Sequence, residues 1–222
     1  MKVATIPFEF ATASYLTSIS ALKASTLAQL RDGLRSCSDE SIFAHTFQSL
    51  GEHHYLTEGF SNDFAQWVLA ACNRPDLAEQ LSAIDVREFV SLKDLRAEMR
   101  RVVGDYCRTH KRDARAPSYE PFYFCESIEV PIPLRRCAST LQEFHDCVAS
   151  LSGTSFYYHF LSSRLRTHLK TNDFSLWLSK EMGLTSLADR IARIDIYTHT
   201  RESARATILR LVERELENER NS

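Results

Sequence analysis

Apolar residues recur along most of this chain at the spacing of a buried helical stripe. Phe64, Trp67, Val68 and Ala71 stand at i, i+3, i+4 and i+7, which puts them on one face of a helix. Leu27, Leu30 and Leu34 keep the same period, matched later by Leu141, Phe144 and Val148. A longer stripe runs through Leu92, Leu95, Met99, Val102, Val103 and Tyr106. The ends of these segments are marked chemically as well. Thr26-Leu-Ala-Gln29 and Thr140-Leu-Gln-Glu143 have capping-box form, in which the hydroxyl and the residue three later satisfy free N–H groups reciprocally. Asn or Asp before Phe64 and Phe174 is a preferred N-cap, and Pro75 suits a first helical turn. Asn73 and Gly183 tolerate the left-handed conformation that ends a helix. Two stretches depart from this period. Phe8 and Phe10, then Phe122, Phe124, Ile128, Val130 and Ile132, alternate with period two. With Pro131 and Pro133 expected to stop it, the pattern predicts a short extended segment. Two such segments are able to pair with each other. The predicted class is all-α, mainly helical.

The pattern is stated twice. At an offset of 114, Phe8 and Phe10 fall on Phe122 and Phe124, Ala24–Leu27 on Ala138–Leu141, and His45 on His159. The offset then drops to 110, so that Asn62-Asp-Phe64 and Trp67 fall on Asn172-Asp-Phe174 and Trp177. Repeats of this kind fix the architecture before any finer reading. The expected organisation is a first repeat over 1–107, a linker over 108–120 carrying basic residues, and a second repeat over 121–222. Each repeat is read as five helices behind its extended segment, the two related by pseudo-twofold symmetry and packed as one unit.

Composition narrows the class of function. The share of hydrophobic residues, 44%, and of charged ones, 25%, is that of a globular protein. A formal net charge of -2 argues against bulk phosphate-backbone binding, which needs a strong positive field. No apolar run has the length of a membrane span, and the opening MKVATIPFEF lacks a secretion-signal pattern. No nucleic acid, no membrane and a cytoplasmic location are therefore expected. The six cysteines form no C-x-x-C pair, and free thiols are expected.

Candidate chemistry is sparse. There is no Gly-rich phosphate loop, no H-E-x-x-H and no G-x-S-x-G. His45 and His159 occupy matched positions. Each reads either as an interior histidine bonded to a backbone carbonyl or to Asp63 and Asp173 respectively, or as one half of an acid–base pair or metal site. Only the first repeat contains Glu52-His53-His54-Tyr55. Three histidines with a carboxylate, His45, His53, His54 and Asp63, make a known ligand set for zinc or iron, though the spacing fits no fixed motif. The matching stretch of the second repeat carries Arg164, Arg166 and His168, a basic segment that could receive a phosphate or carboxylate.

The combination of FATASYL at 10–16, EHHYL at 52–56, NDFAQWV, FYFCESI at 122–128, NDFSLWL and LADRIARID resembles a prokaryotic family catalogued as domain of unknown function five-seven-five-two, over nearly the whole chain. The resemblance carries over no activity, cofactor or catalytic residue. Similar families are often encoded near glycosyltransferases and other sugar-metabolising enzymes, which implies an accessory role. The expected function is thus a non-enzymatic binding or regulatory accessory protein, with a carbohydrate-metabolising enzyme as partner and no cofactor. Its contact surface is expected among His45, Glu52, His53, His54, Tyr55, Asp63, His159, Arg164, Arg166, His168 and Asp173. Two alternatives stand beside it. One is a metal-dependent hydrolase or transferase using the His45/His53/His54/Asp63 cluster. The other is a structural dimerisation module, so that the protein is a monomer or a homodimer.

Overall fold

The computed structural model describes residues 2–53, 60–167, 170–195 and 197–221. Strand β1 spans Val3–Ala24 and β2 spans Phe122–Thr140. They pair as a two-stranded antiparallel sheet. With 59% helix and 20% strand the protein is α+β, and the all-α expectation is overturned. The extended segments were expected to be short, and β2 runs through both Pro131 and Pro133 to Thr140. The reason lies in the sheet itself. In a two-stranded sheet half the amides of each strand face no partner, so a proline there removes no ladder bond. Pro131 and Pro133 are two residues apart and so point to the same side. The alternation was also a poor guide to length, because only its head is buried. Phe122 and Phe124 are inside, while Ile128, Val130 and Ile132 are exposed.

Between the strands lie α1 (Leu27–Ser36), α2 (Asp39–Phe43), α3 (Ser49–His53), α4 (Asp63–Ala70), α5 (Pro75–Ser82) and α6 (Leu92–Thr109). After β2 come α7 (Leu141–Ala149), α8 (Gly153–Tyr157), α9 (Ser163–Thr167), α10 (Asp173–Lys180), α11 (Thr185–Ala192) and α12 (Arg201–Asn221). A π-helical turn joins α2 to α3 over Ala44–Gln48, and another joins α8 to α9 over Tyr158–Ser162. The caps are those the side chains require. Thr140 and Glu143 close a capping box, Asn62 and Asn172 accept from Ala65 and Ser175 amides, and Pro75 opens α5. Asn73 and Gly183 adopt φ of 53° and 66°. No described helix is long and apolar enough to cross a membrane.

The chain divides into two compact units, a central unit of residues 15–128 and a C-terminal unit of 1–14 with 129–222. Each strand therefore starts in one unit and ends in the other. In the C-terminal unit the core forms where Phe8 meets Phe144, Phe174 and Trp177 at ring-centroid distances of 5.5–5.8 Å. In the central unit Phe122 meets Phe64 and Trp67 at 5.1 and 5.8 Å. The aromatic head of each strand thus packs on helices other than those the strand leads into. Gly33 belongs to this packing. A Cβ there would stand 2.5 Å from the Phe124 ring, so α1 approaches β2 only because the side chain is absent.

Candidate functional site

The two matched histidines sit on the two π-turns, each turn a local widening of the helix that re-aims a side chain. His45 Nδ1 lies 2.8 Å from Asp63 Oδ2, and His159 Nδ1 lies 2.8 Å from Asp173 Oδ2. Both aspartates open their helices, just after the capping asparagines. The other ring nitrogen is engaged as well. The Cys125 amide of β2 donates to His45 Nε2 at 2.8 Å, and the Ala11 amide of β1 donates to His159 Nε2 at 2.9 Å. A backbone N–H can only donate, so Nε2 is the bare nitrogen and Nδ1 carries the proton toward the carboxylate. Each imidazole is a neutral strut from helix to strand, 6% exposed at His45 and 3% at His159. A lone pair occupied by a strand amide is not available to a substrate proton or to a metal without breaking that bond. The aspartates are held in turn. The Ser49 hydroxyl donates to Asp63 Oδ1, and the Asp173 amide donates to Ser163 Oγ at 3.3 Å.

Of the other residues singled out in the sequence, His54, Tyr55 and His168 lie outside the described residues, as do the side chains of Glu52, His53 and Arg166. Arg164 is buried and donates from Nη1 to the Lys170 carbonyl at 3.1 Å. Among the described residues no group of three or more His, Cys, Asp or Glu side chains is placed to hold a metal ion. The six thiols are free. Burial pushes the Cys37 thiol up to about 11 against the opposing Arg96, and that of Cys72 up to about 12. Burial raises Cys107, Cys125 and Cys147 too, which keeps them protonated and unreactive near neutrality.

The C-terminal unit also contains a cleft of about 260 Å³ whose lining includes Phe8, Glu9, Asp173, Trp177, Lys180 and Glu181. Helix α10 supplies one wall and the head of β1 the other. Trp177 Nε1 donates to the Ile6 carbonyl at 2.8 Å, the Ile6 amide donates to Glu181 Oε2 at 3.1 Å, and Lys2 Nζ donates to the Met182 carbonyl at 2.6 Å. Hydrogen bonds therefore tie the head of β1 to the end of α10, and the rim of the cleft is charged. Sequence reading passed over Glu9, Lys180 and Glu181. The signal that finds them is the difference between the copies. The residues matched to them in the central unit are Tyr123, Ala70 and Ala71, while Trp67 Nε1 keeps the equivalent bond to the Glu120 carbonyl at 2.8 Å. The shared residues hold the strand, and the charges are additions of one copy. A concave floor of apolar rings with a few polar groups on its rim suits recognition of a polar segment.

A family model described as a family of unknown function, DUF5752, matches residues 5–213. A solved structure, that of OrfY from Thermoproteus tenax, is similar at 34% identity and a TM-score of 0.83, over 96% of this chain and 97% of that one. Comparison with curated proteins finds no match. The chain belongs to the DUF5752 family.

Proposed function

We propose that this member of the DUF5752 family performs no catalysis of its own and works as a binding or regulatory accessory protein, with a carbohydrate-metabolising enzyme such as a glycosyltransferase as its partner. The observation that carries the reading is the double engagement of His45 and His159. The two best candidates for acid–base or metal chemistry act as structural struts, each with its acceptor nitrogen filled by a strand amide. The contact surface we assign is the cleft of the C-terminal unit, where Glu9, Lys180 and Glu181 surround a shared aromatic floor. A rim of both signs gives register and selectivity to a polar partner segment more than raw affinity. We place the protein in the cytoplasm, as monomer or homodimer, without nucleic-acid or membrane partners, in keeping with its net charge of -2.

The test is capture of partners from the native host by the full chain, with the wild type beside a Glu9→Lys/Lys180→Glu variant. An enzyme of carbohydrate metabolism retained by the first and lost by the second, at equal melting temperature, is the expected result. Identical capture by both would remove the cleft from the reading. The metal-enzyme alternative rests on His53 and His54, and elemental analysis addresses it directly. Stoichiometric zinc, iron or manganese that disappears in His53→Ala/His54→Ala would overturn the accessory role.

A further inference from the structure

Helix α12 places a cation where a protein ordinarily avoids one. Arg205 stands in the second turn of this 21-residue helix. Its side chain is only 13% exposed. Nε and Nη2 are both buried without a hydrogen bond. What faces the guanidinium is the Phe156 ring, at 5.4 Å from Cζ to centroid, and the Glu202 carboxylate, at 3.6 Å from Nη2. Glu202 is 63% exposed, and so exposed a partner offsets little of the desolvation of a buried charge.

The central unit shows what is missing. The last helices of the two units match at an offset of 109, with Leu95, Met99, Val102 and Val103 of α6 falling on Ala204, Ile208, Leu211 and Val212 of α12, all of them buried. Arg205 then corresponds to Arg96, and Arg201 to Leu92. Arg96 has an anion. Its Nη2 lies 3.3 Å from Asp39 Oδ1, and its Nη1 donates to the Cys37 carbonyl. Asp39 is the first residue of α2, and its counterpart at the first residue of α8 is Gly153. The C-terminal unit therefore has the arginine and, in place of the carboxylate, a residue with no side chain. The Arg205 contact with Phe156, one turn on from Gly153, shows that the guanidinium still faces α8 as Arg96 faces α2.

We propose that the C-terminal unit binds a compact oxyanion, a phosphate or a carboxylate, between Arg205 and Gly153, where the matched carboxylate of Asp39 has no counterpart. Asp39 beside Arg96 is the internal stand-in for that ligand. The anion accepts charge-assisted hydrogen bonds from the Arg205 Nε–H and Nη2–H groups, which have no hydrogen-bond partner. This site is distinct from the Trp177 cleft and does not depend on the accessory role.

The experiment is a titration of the full chain with inorganic phosphate and, in a second arm, with acetate, at ionic strength held constant with chloride. Melting temperature and heat of binding are both read. The expected result is a saturable rise in melting temperature for phosphate, acetate or both, with phosphate alone marking a phosphoryl site and an equal response marking a carboxylate site. Arg205→Gln should weaken the binding by about tenfold or more, the worth of at least one charge-assisted bond. Gly153→Asp restores the acid that Arg96 enjoys in the other unit. It should raise the melting temperature of the ligand-free protein and abolish the anion response, and it keeps the test valid even where Arg205→Gln fails to fold. The proposal is overturned by the absence of a saturable response in either arm, or by one of unchanged strength in Gly153→Asp.

Discussion

His159→Ala should be among the most damaging single changes to this protein. The substitution removes the acceptor of the Ala11 amide, at 2.9 Å, and the donor to Asp173, at 2.8 Å. It also removes a ring packed 5.0 Å from Phe8 and 5.7 Å from Phe174. A buried group left without its partner costs about 1–3 kcal/mol. With the Ala11 amide deprived of its acceptor and a ring site vacated, the expected loss is about 2–5 kcal/mol, a large part of the stability of a domain. The same change at His45 should behave alike, since Cys125 and Asp63 stand at 2.8 Å in the matched places. Asp173→Asn supplies the control. The asparagine carbonyl still accepts from Nδ1–H of a neutral imidazole, so the loss should stay near 1 kcal/mol. An imidazolium paired with that aspartate would instead lose about 3–5 kcal/mol, the cost of breaking a buried ion pair. Urea denaturation gives both differences, and hydrogen exchange at the Ala11 amide reads the bond itself. A loss under 1 kcal/mol for His159→Ala, or unchanged protection of that amide, would refute the latch. A loss for Asp173→Asn as large as for His159→Ala would refute its neutral form.

Three further outcomes can be checked with the same equipment. Trp67→Ala and Trp177→Ala should each cost about 3–5 kcal/mol, because each indole is buried and bonded to a strand carbonyl at 2.8 Å; an unchanged midpoint in either would refute its anchoring role. Gly33→Ala should destabilise by about 1–3 kcal/mol through overpacking against Phe124, whereas Gly104→Ala should gain up to about 1 kcal/mol of helix propensity, since a Cβ there meets only Arg31 Cδ at 3.9 Å. Effects of equal sign would contradict that geometry. Stability should also fall as pH rises from about 9 toward 12, because the folded Cys37 and Cys72 thiols titrate at about 11 and 12 against an ordinary 9.0. In that window the unfolded chain binds fewer protons than the folded one, which makes the slope negative, and a Cys37→Ala/Cys72→Ala variant should flatten it in urea melts.

The helices were legible because their signals are local. Thr140 with Glu143, Asn62, Pro75 and Gly183 each satisfy or relieve a backbone group within a few residues, and such groups are read without knowledge of the fold. The His45–Asp63 and His159–Asp173 pairs were legible for a related reason, since a histidine and a carboxylate recur together in both copies. Their other halves were not. The donors on Nε2 are main-chain amides of Cys125 and Ala11, and a backbone donor leaves no mark on residue type. The strand heads and their pairing were legible in the Phe8/Phe10 and Phe122/Phe124 alternation, but the length of the strands was not, because much of it is exposed. Ile19 and Ile128 are open to solvent beside serines and threonines, so no alternation separates one face from the other. Prolines in β2 then argued for an end that a free strand edge does not impose.

The aromatic head of each strand explains why the matched residues are matched. Phe8 and Phe10 complete a core whose helices begin beyond residue 140, and Phe122 and Phe124 complete one whose helices end at Thr109. Neither set of helices closes its core with the head of the strand that leads into it. A residue that fastens a strand head is thus required twice, once in each unit, and His45, Phe64 and Trp67 have counterparts for that reason. Positions free of this duty are the ones at which the copies have been able to diverge. They do so coherently. Around Trp177 the C-terminal unit has Glu9, Lys180 and Glu181 where the other has Tyr123, Ala70 and Ala71, and around Arg205 it has Gly153 and Arg201 where the other has Asp39 and Leu92. Divergence against a fixed frame is the physical reason to seek binding in residues 1–14 and 129–222.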